Sequence, residues 1–118
     1  MTNTARKTIE AFLNREQLKI NNTETNGSDL YLFGNRIAYH KDNDIIISMC
    51  GYNTVTTKDR LNELLDKLNH GRIRTKNYVS YYVEDNTSFE IDPSKEYSLN
   101  ELEVIKNNHR LLNEDRSL

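Results

Sequence analysis

The chain has 118 residues, a formal net charge of −2 and 36% hydrophobic residues, with a mean hydropathy of −0.83. This length predicts a single domain over 1–118 with a frayed polar tail at 113–118, because domains typically have about 100–150 residues. The near-neutral charge argues against a non-specific DNA-binding protein, which is usually strongly basic. Seven Tyr and three Phe argue against disorder. The core is thin, which is compatible with a homodimer.

Cysteine usage and hydropathy limit the compartment. Cys50 is the single cysteine, so an internal disulfide is excluded. The first 20 residues are polar and do not have the apolar segment of a signal peptide. No apolar run approaches the roughly 20 residues that a membrane span needs. We therefore expect a cytoplasmic protein without a membrane segment.

The first half of the chain predicts a helix followed by a β-meander. Ala5, Ile9 and Phe12 fall on one face of a helix from Thr2 to Gln17, with Thr2 or Asn3 as its cap. Residues 19–26 predict one short edge strand that leads into the Asn26-Gly27 turn. The next strands are 29–33, 36–41 and 44–50, joined by tight turns at Gly34-Asn35 and Asp42-Asn43.

The second half predicts two further helices around more strands. Thr56 or Thr57 caps a helix that ends at His70-Gly71 and carries a stripe of Leu61, Leu64, Leu65 and Leu68. Residues 72–85 alternate, with Ile73, Val79, Tyr81 and Val83 in register, and 88–91 form another strand. Ser98 opens a capping box, and Leu99, Leu102, Ile105 and Leu112 define the last helix. The predicted fold class is α+β: an antiparallel meander sheet with N-terminal, central and C-terminal helices packed on one face.

The chain carries no recognisable catalytic or metal-binding motif. His40, His70 and His109 are separated along the sequence, and neighbouring ligands at short spacing are absent. Cys50 and His40 form the one conceivable nucleophile and base. The four glycines stand singly, so there is no glycine-rich phosphate loop. We predict a protein that is not an enzyme and that uses no cofactor or metal.

The strand at 72–78 carries the most distinctive surface pattern. Arg72, Arg74 and Lys76 alternate with Ile73 and Thr75 and therefore point to one face, which Tyr78 is predicted to continue. Three cations and an aromatic side chain in a row are suited to phosphates and a stacked base. Charges on an exposed strand edge also prevent edge-to-edge pairing. Nucleic-acid binding is therefore the alternative functional hypothesis.

Charge is distributed unevenly along the second half. Residues 51–77 carry six basic and three acidic side chains, whereas residues 78–118 carry four basic and nine acidic ones. An acidic surface with interspersed tyrosines is suited to protein binding, because tyrosine provides contact area and acids steer association. The candidate partner contacts are Tyr52, Asn53, Arg60, Tyr78, Tyr82, Glu84 and Asp85.

Residues 12–65 resemble a recurrent type of small phage or prophage protein. The shared positions are Phe12, Leu13, Asn22, Thr25, Gly27, Leu30, Tyr31, Asn35, Ile37, Ala38, Gly51, Tyr52, Thr56, Thr57, Arg60, Leu61 and Asn62. The resemblance implies an accessory protein that binds and modulates a host protein, for example one of a defence system. The segment Gly51–Asn62 is compatible with a contact site or with a bend and helix cap, and the sequence leaves both open.

Overall fold

A computed structural model describes residues 3–116, with side chains described for residues 5–109. Three helices and nine strands form in this part of the chain. The elements are α1 (Asn3–Leu13), β1 (Gln17–Ile20), β2 (Thr23–Asn26), β3 (Asp29–Leu32), β4 (Asn35–Lys41), β5 (Asp44–Ser48), α2 (Val55–Lys67), β6 (Arg72–Lys76), β7 (Val79–Glu84), β8 (Thr87–Ile91), β9 (Glu96–Ser98) and α3 (Leu99–Arg116).

The larger sheet is an antiparallel meander of six strands. Its order is β1-β2-β3-β4-β5-β9, so the first five strands follow the chain and β9 returns to pair with β5. Strand β9 was not predicted, because three residues are too few to show an alternating pattern. The three helices lie over one face of this sheet, and the predicted α+β class is confirmed.

The smaller sheet has the order β6-β7-β8. Ile73, Tyr82 and Phe89 lie opposite one another across its strands, and all three are buried. Because side chains alternate along a strand, Val79, Tyr81 and Val83 point to the other side. The alternation in the sequence predicts these three residues in register with Ile73. That prediction was wrong because β7 has apolar residues on both faces, and the cross-strand pairing decides which face is covered.

One hydrophobic core joins the two sheets. Residues of α1, α2 and α3 contribute to it, and α2 contacts both β4 of the larger sheet and β6 of the smaller one. The last helix, α3, contacts β5 and β9 on one side and β8 on the other. Fully buried members include Ile9, Phe12, Leu30, Leu61, Leu64, Leu65 and Tyr82.

Several predicted boundaries shift for local reasons. The first helix ends at Leu13 and not at Gln17, since Arg15 adopts a left-handed φ of 58°. Residues 17–26 form a hairpin and not one strand, with Asn21 in the turn at φ 54°. The cap of α2 is Thr54, whose hydroxyl accepts a hydrogen bond from the Thr57 N–H.

The end of α2 also differs from the prediction. Asn69, and not Gly71, takes the left-handed conformation, with a φ of 58°. Gly71 has another role, because a Cβ atom there would lie 2.2 Å from the Val83 carbonyl oxygen. By contrast, Ser98 caps α3 as predicted and accepts a hydrogen bond from Glu101 N–H at 2.9 Å.

Three predictions fall beyond the described residues or side chains. They are the cap of α1 at Thr2 or Asn3, the core position Leu112 and, from the predicted tail, residues 117–118; the backbone of 113–116 continues α3.

Candidate functional site

Much of the segment Gly51–Asn62 serves as scaffold. Gly51 has a φ of 81° and donates its N–H to the Pro93 carbonyl at 2.8 Å, which fixes the bend after β5. Arg60 is only 6% exposed, and its Nε–H donates to Thr23 Oγ1 at 2.9 Å. The predicted partner contact at Arg60 is therefore not on the surface. This guanidinium instead ties α2 to β2.

An open pocket lies beside this segment. Its volume is about 460 Å³, and its lining is Leu32, Phe33, Asn35, Tyr52, Thr54, Thr56 and Thr57. Phe33 is 69% exposed and Tyr52 is 53% exposed. Val55, between two of the lining threonines, is 80% exposed. We call this the Phe33–Tyr52 pocket. Large apolar side chains that are solvated in one place mark a binding surface more often than isolated ones do.

Phe33 is the residue of this pocket that the sequence analysis did not select. The predicted turn was Gly34-Asn35, but the turn residues are Phe33 and Gly34, and β4 starts at Asn35. Phe33 adopts a φ of 51°, which is unusual for an aromatic residue. Its N–H donates to the Asn22 carbonyl at 2.8 Å. The sequence does contain a signal for this exposure. Phe33 is a bulky apolar residue directly before the turn glycine Gly34, and a side chain in a turn does not point into the core.

The other predicted contacts do not form one site. Asn53 accepts a hydrogen bond from the Thr75 hydroxyl at 2.9 Å and so joins the start of α2 to β6. Tyr82 is fully buried, so the predicted contact at this position is also not on the surface. Tyr78 is 97% exposed in the turn before β7, and Asp85 lies in the turn after it. These two exposed candidates are separated by the full length of a six-residue strand.

A polar network surrounds the Tyr82 hydroxyl. Gly71 N–H donates to this oxygen at 2.9 Å, and the Tyr82 O–H donates to Glu84 Oε1 at 2.7 Å. Lys106 donates to Glu84 and also to Glu103 Oε1, the latter at 2.8 Å. Burial, followed by the hydrogen bond to Glu84, raises the pKa of the Tyr82 phenol. The network fastens α3 to β7 and to the end of α2.

The pKa of Glu84 is lowered despite its burial. Burial alone would raise the pKa of this carboxyl, but hydrogen bonds from Lys106 and Tyr82 stabilise the ionised form more strongly. Hydrogen bonds to Glu103 and Glu84 likewise raise the pKa of the Lys106 ammonium. An ionised pair at this position is consistent with a structural ion network.

Two groupings have the residue types of metal binding or catalysis. His70, Glu84 and Glu103 bring one ligand atom each within 4.8 Å of one another. Lys106 already supplies the cation that both carboxylates contact. Cys50 and His40 are engaged separately: the Cys50 thiol donates to the Arg36 carbonyl at 3.0 Å, and His40 Nε2 lies 2.9 Å from the Phe12 carbonyl oxygen.

Fold and surface define a small α+β protein with an open aromatic pocket at the start of its central helix. No helix in the described part of the chain is both long and apolar enough to cross a membrane. The chain belongs to the Kyanoviridae Gp96 protein family, whose model matches residues 1–107, and it is therefore a phage protein. No curated protein and no solved structure matches the chain.

Proposed function

We propose that this phage protein is a non-enzymatic accessory protein that binds a host protein in the host cytoplasm and modulates it stoichiometrically. The observation that carries the proposal is the Phe33–Tyr52 pocket, with Phe33 69% exposed and Tyr52 53% exposed. Host proteins are among the partners that are available to a phage-encoded accessory protein. Defence-system proteins are one class of host target that such a protein would act on.

The pocket has the physical character of an interface centre. Aromatic residues dominate the binding energy of many interfaces because they bury a large area with few rotatable bonds. Both anchors are held by the backbone: Phe33 N–H bonds to Asn22, and Tyr52 N–H donates to the Met49 carbonyl at 2.8 Å. A backbone that is already fixed loses little conformational freedom on binding, so more of the burial energy of these side chains contributes to affinity.

The threonines around the pocket add polar groups to its rim. Thr54 lines it and is exposed, whereas Thr57 is buried. Thr54 Oγ1 and Thr57 Oγ1 lie 2.9 Å apart and complete the cap of α2. An apolar centre with a polar rim is the usual anatomy of a specific protein interface. This arrangement also supports a contact role for Tyr52, as expected from the sequence.

Affinity capture from a host extract tests the proposal when three versions of the protein are compared. They are the wild type, the pocket variant Phe33→Ser/Tyr52→Ser and the control variant Val104→Ser. Val104 is a suitable control because it is 58% exposed on α3 and does not line the pocket. We expect a host protein that the wild type and the control retain and the pocket variant loses.

Titration of the purified host protein then measures affinity and stoichiometry. We expect saturation at one partner per chain and at least about a tenfold loss of affinity in the pocket variant, the minimum that loss of a dominant aromatic anchor implies. Equal thermal unfolding of all three versions shows that the loss comes from the surface. Retention of the same host proteins by the folded pocket variant would refute the assignment of this pocket.

A further inference from the structure

The outward face of the smaller sheet carries a second, chemically different surface. Arg72, Arg74 and Lys76 on β6 are exposed, and Val79, Tyr81 and Val83 on β7 are half-buried. We call these six residues the outer face. It is a separate surface from the Phe33–Tyr52 pocket, which is lined by residues of β3, β4 and the start of α2.

The cations of the outer face are available to a ligand. Within the described residues, Arg72, Arg74 and Lys76 form no ion pair and no side-chain hydrogen bond. Part of this strand edge is covered without them, because Asn62 occupies it at Ile73. Its Oδ1 accepts from Ile73 N–H at 2.7 Å, and its Nδ2 donates to the Ile73 carbonyl at 3.0 Å. Three cations in a row without an ion pair among the described residues thus point to an anionic ligand.

The strand next to these cations offers a surface for stacking. Tyr81 lies directly opposite Arg74 on one side and opposite Glu90 on the other. Within the described part, the ring of Tyr81 contacts no other aromatic ring or cation. An aromatic ring on an open sheet face is the platform on which proteins stack unpaired bases, at about 1–3 kcal/mol per base. Tyr78, which the sequence placed on this face, lies instead in the turn.

Arg74, Tyr81 and Glu90 form a row across the sheet and offer a cation, an aromatic ring and a carboxylate in that order. Neighbouring strands are about 4.8 Å apart, so Arg74 and Glu90 lie roughly 10 Å apart on either side of the ring. This span is comparable with that from a nucleotide phosphate to the far edge of its base. The guanidinium suits the phosphate, the ring suits the base, and the exposed Glu90 carboxylate suits an exocyclic amino group.

We infer that the outer face binds single-stranded nucleic acid, with the phosphates along β6 and the bases over β7. Glu90 decides against an acidic peptide, because its carboxylate repels acidic side chains but accepts hydrogen bonds from adenine, cytosine or guanine. A duplex would not present its bases to a flat face, which favours a single strand.

Fluorescence anisotropy with labelled oligo(dC) and oligo(dT) tests the inference directly. We expect salt-dependent binding of both and tighter binding of oligo(dC), since thymine has no exocyclic amino group. Arg72→Ala/Arg74→Ala should weaken binding at least about tenfold and reduce the slope of log K against log salt by about 1.4, which is the value for two lost phosphate contacts on a single strand. Glu90→Gln should reduce the preference for oligo(dC).

Matched variants separate the outer face from general charge. Lys19→Ala/Lys41→Ala removes two exposed cations from the larger sheet and should leave affinity within about twofold of the wild type. Tyr81→Leu should weaken binding about tenfold, whereas Tyr81→Phe should retain it. The inference is overturned if neither oligonucleotide binds at low salt or if the control variant loses as much affinity as the arginine variant. Tighter binding of a poly-glutamate peptide than of oligo(dC) would also overturn it and assign the face to an acidic protein.

Discussion

At the residue scale, Glu63 is a buried ionisable group with one side-chain oxygen that has no hydrogen-bond partner among the described residues. Its side chain lies on α2 and is only 2% exposed, and the oxygen concerned is Oε2. Burial raises the pKa of this carboxyl, and the nearby Asp66 and Asp59 add to the rise, whereas Lys67 opposes it. A carboxyl group in this position destabilises the folded state whenever it is ionised.

We predict that Glu63→Gln increases the free energy of unfolding by about 1 kcal/mol at neutral pH, because the variant buries no charge. The pKa of Glu63 is higher in the folded than in the unfolded state, so the folded wild type binds the proton more tightly. The wild type therefore regains stability as the pH falls through the raised pKa. The advantage of Glu63→Gln should shrink toward the ordinary carboxyl value of 4.5. Denaturant unfolding at several pH values measures this trend.

Glu10 provides an internal control with the opposite sign. A hydrogen bond from Lys67, at 2.8 Å, lowers the pKa of the Glu10 carboxyl. Glu10→Gln should therefore lose a small amount of stability at neutral pH, and this deficit should disappear on acidification. If Glu63→Gln were less stable than the wild type across the whole range, Glu63 would have a stabilising role that its surroundings do not indicate.

At the scale of elements, one side chain closes an edge of the smaller sheet. Asn62 of α2 binds both the N–H and the carbonyl of Ile73 in β6, as a neighbouring strand would. The N–H groups of Arg72 and Arg74 point the other way, toward β7, because antiparallel hydrogen bonding alternates along a strand. The contact fixes the position of α2 relative to the smaller sheet and covers the edge of β6 at Ile73, where another chain could otherwise pair.

We predict that Asn62→Ala accelerates hydrogen exchange of the Ile73 amide while the Arg72 and Arg74 amides stay protected. Stability should fall by about 1 kcal/mol, the usual cost of removing a hydrogen-bond partner. Asn62→Asp keeps an acceptor for the Ile73 N–H and should preserve its protection. Exchange measured by NMR distinguishes these amides, and an Ile73 amide that stays protected in Asn62→Ala would show that β6 is closed by something other than this side chain.

Local signals in the sequence were sufficient to predict most helices and strands. They were insufficient where the pairing of strands or the conformation of a turn decides the structure. The Ser98 cap and the leucine stripe of α2 were predictable, because each depends on residues within a turn or two of helix. The hairpin of β1 and β2 was not, since its turn depends on Asn21 adopting a left-handed conformation. The cap of α2 lies at Thr54, two or three residues before the predicted Thr56 or Thr57, because three threonines compete within four positions.

The candidate sites show the same division. The sequence predicted the exposure of some site residues because it follows from local pattern. These residues are Tyr52, Arg72, Arg74 and Lys76. The outward position of Tyr81 was not, because it follows from the pairing of Tyr82 with Ile73 and Phe89. Phe33 was missed for a related reason: the hairpin turn lies one residue earlier than the glycine-asparagine pair indicates. The sequence therefore located exposed residues where local pattern decides their position and missed those whose position depends on strand pairing or on the turn.

At the scale of the whole molecule, Leu61 connects the two sheets. It is fully buried. It lines a small gap together with Ile47 and Met49, at the end of β5 in the larger sheet, and with Ile73 and Ile91 of the smaller sheet. All five belong to a single core cluster. Two sheets that share one core cannot lose their packing separately, so we expect the molecule to unfold as one cooperative unit.

We predict that Leu61→Ala lowers the free energy of unfolding by about 3 kcal/mol, the typical cost of a large cavity in a core. Because the cavity lies between the sheets, the most protected amides of β3 and β7 should lose the same free energy of exchange. Native-state hydrogen exchange measures both strands in one experiment. Val104→Ala, at an exposed position on α3, should change both by less than about 0.5 kcal/mol. Amides of β7 that kept their protection while those of β3 lost it would show that the smaller sheet folds independently, and the outer face would then belong to a separate folding unit.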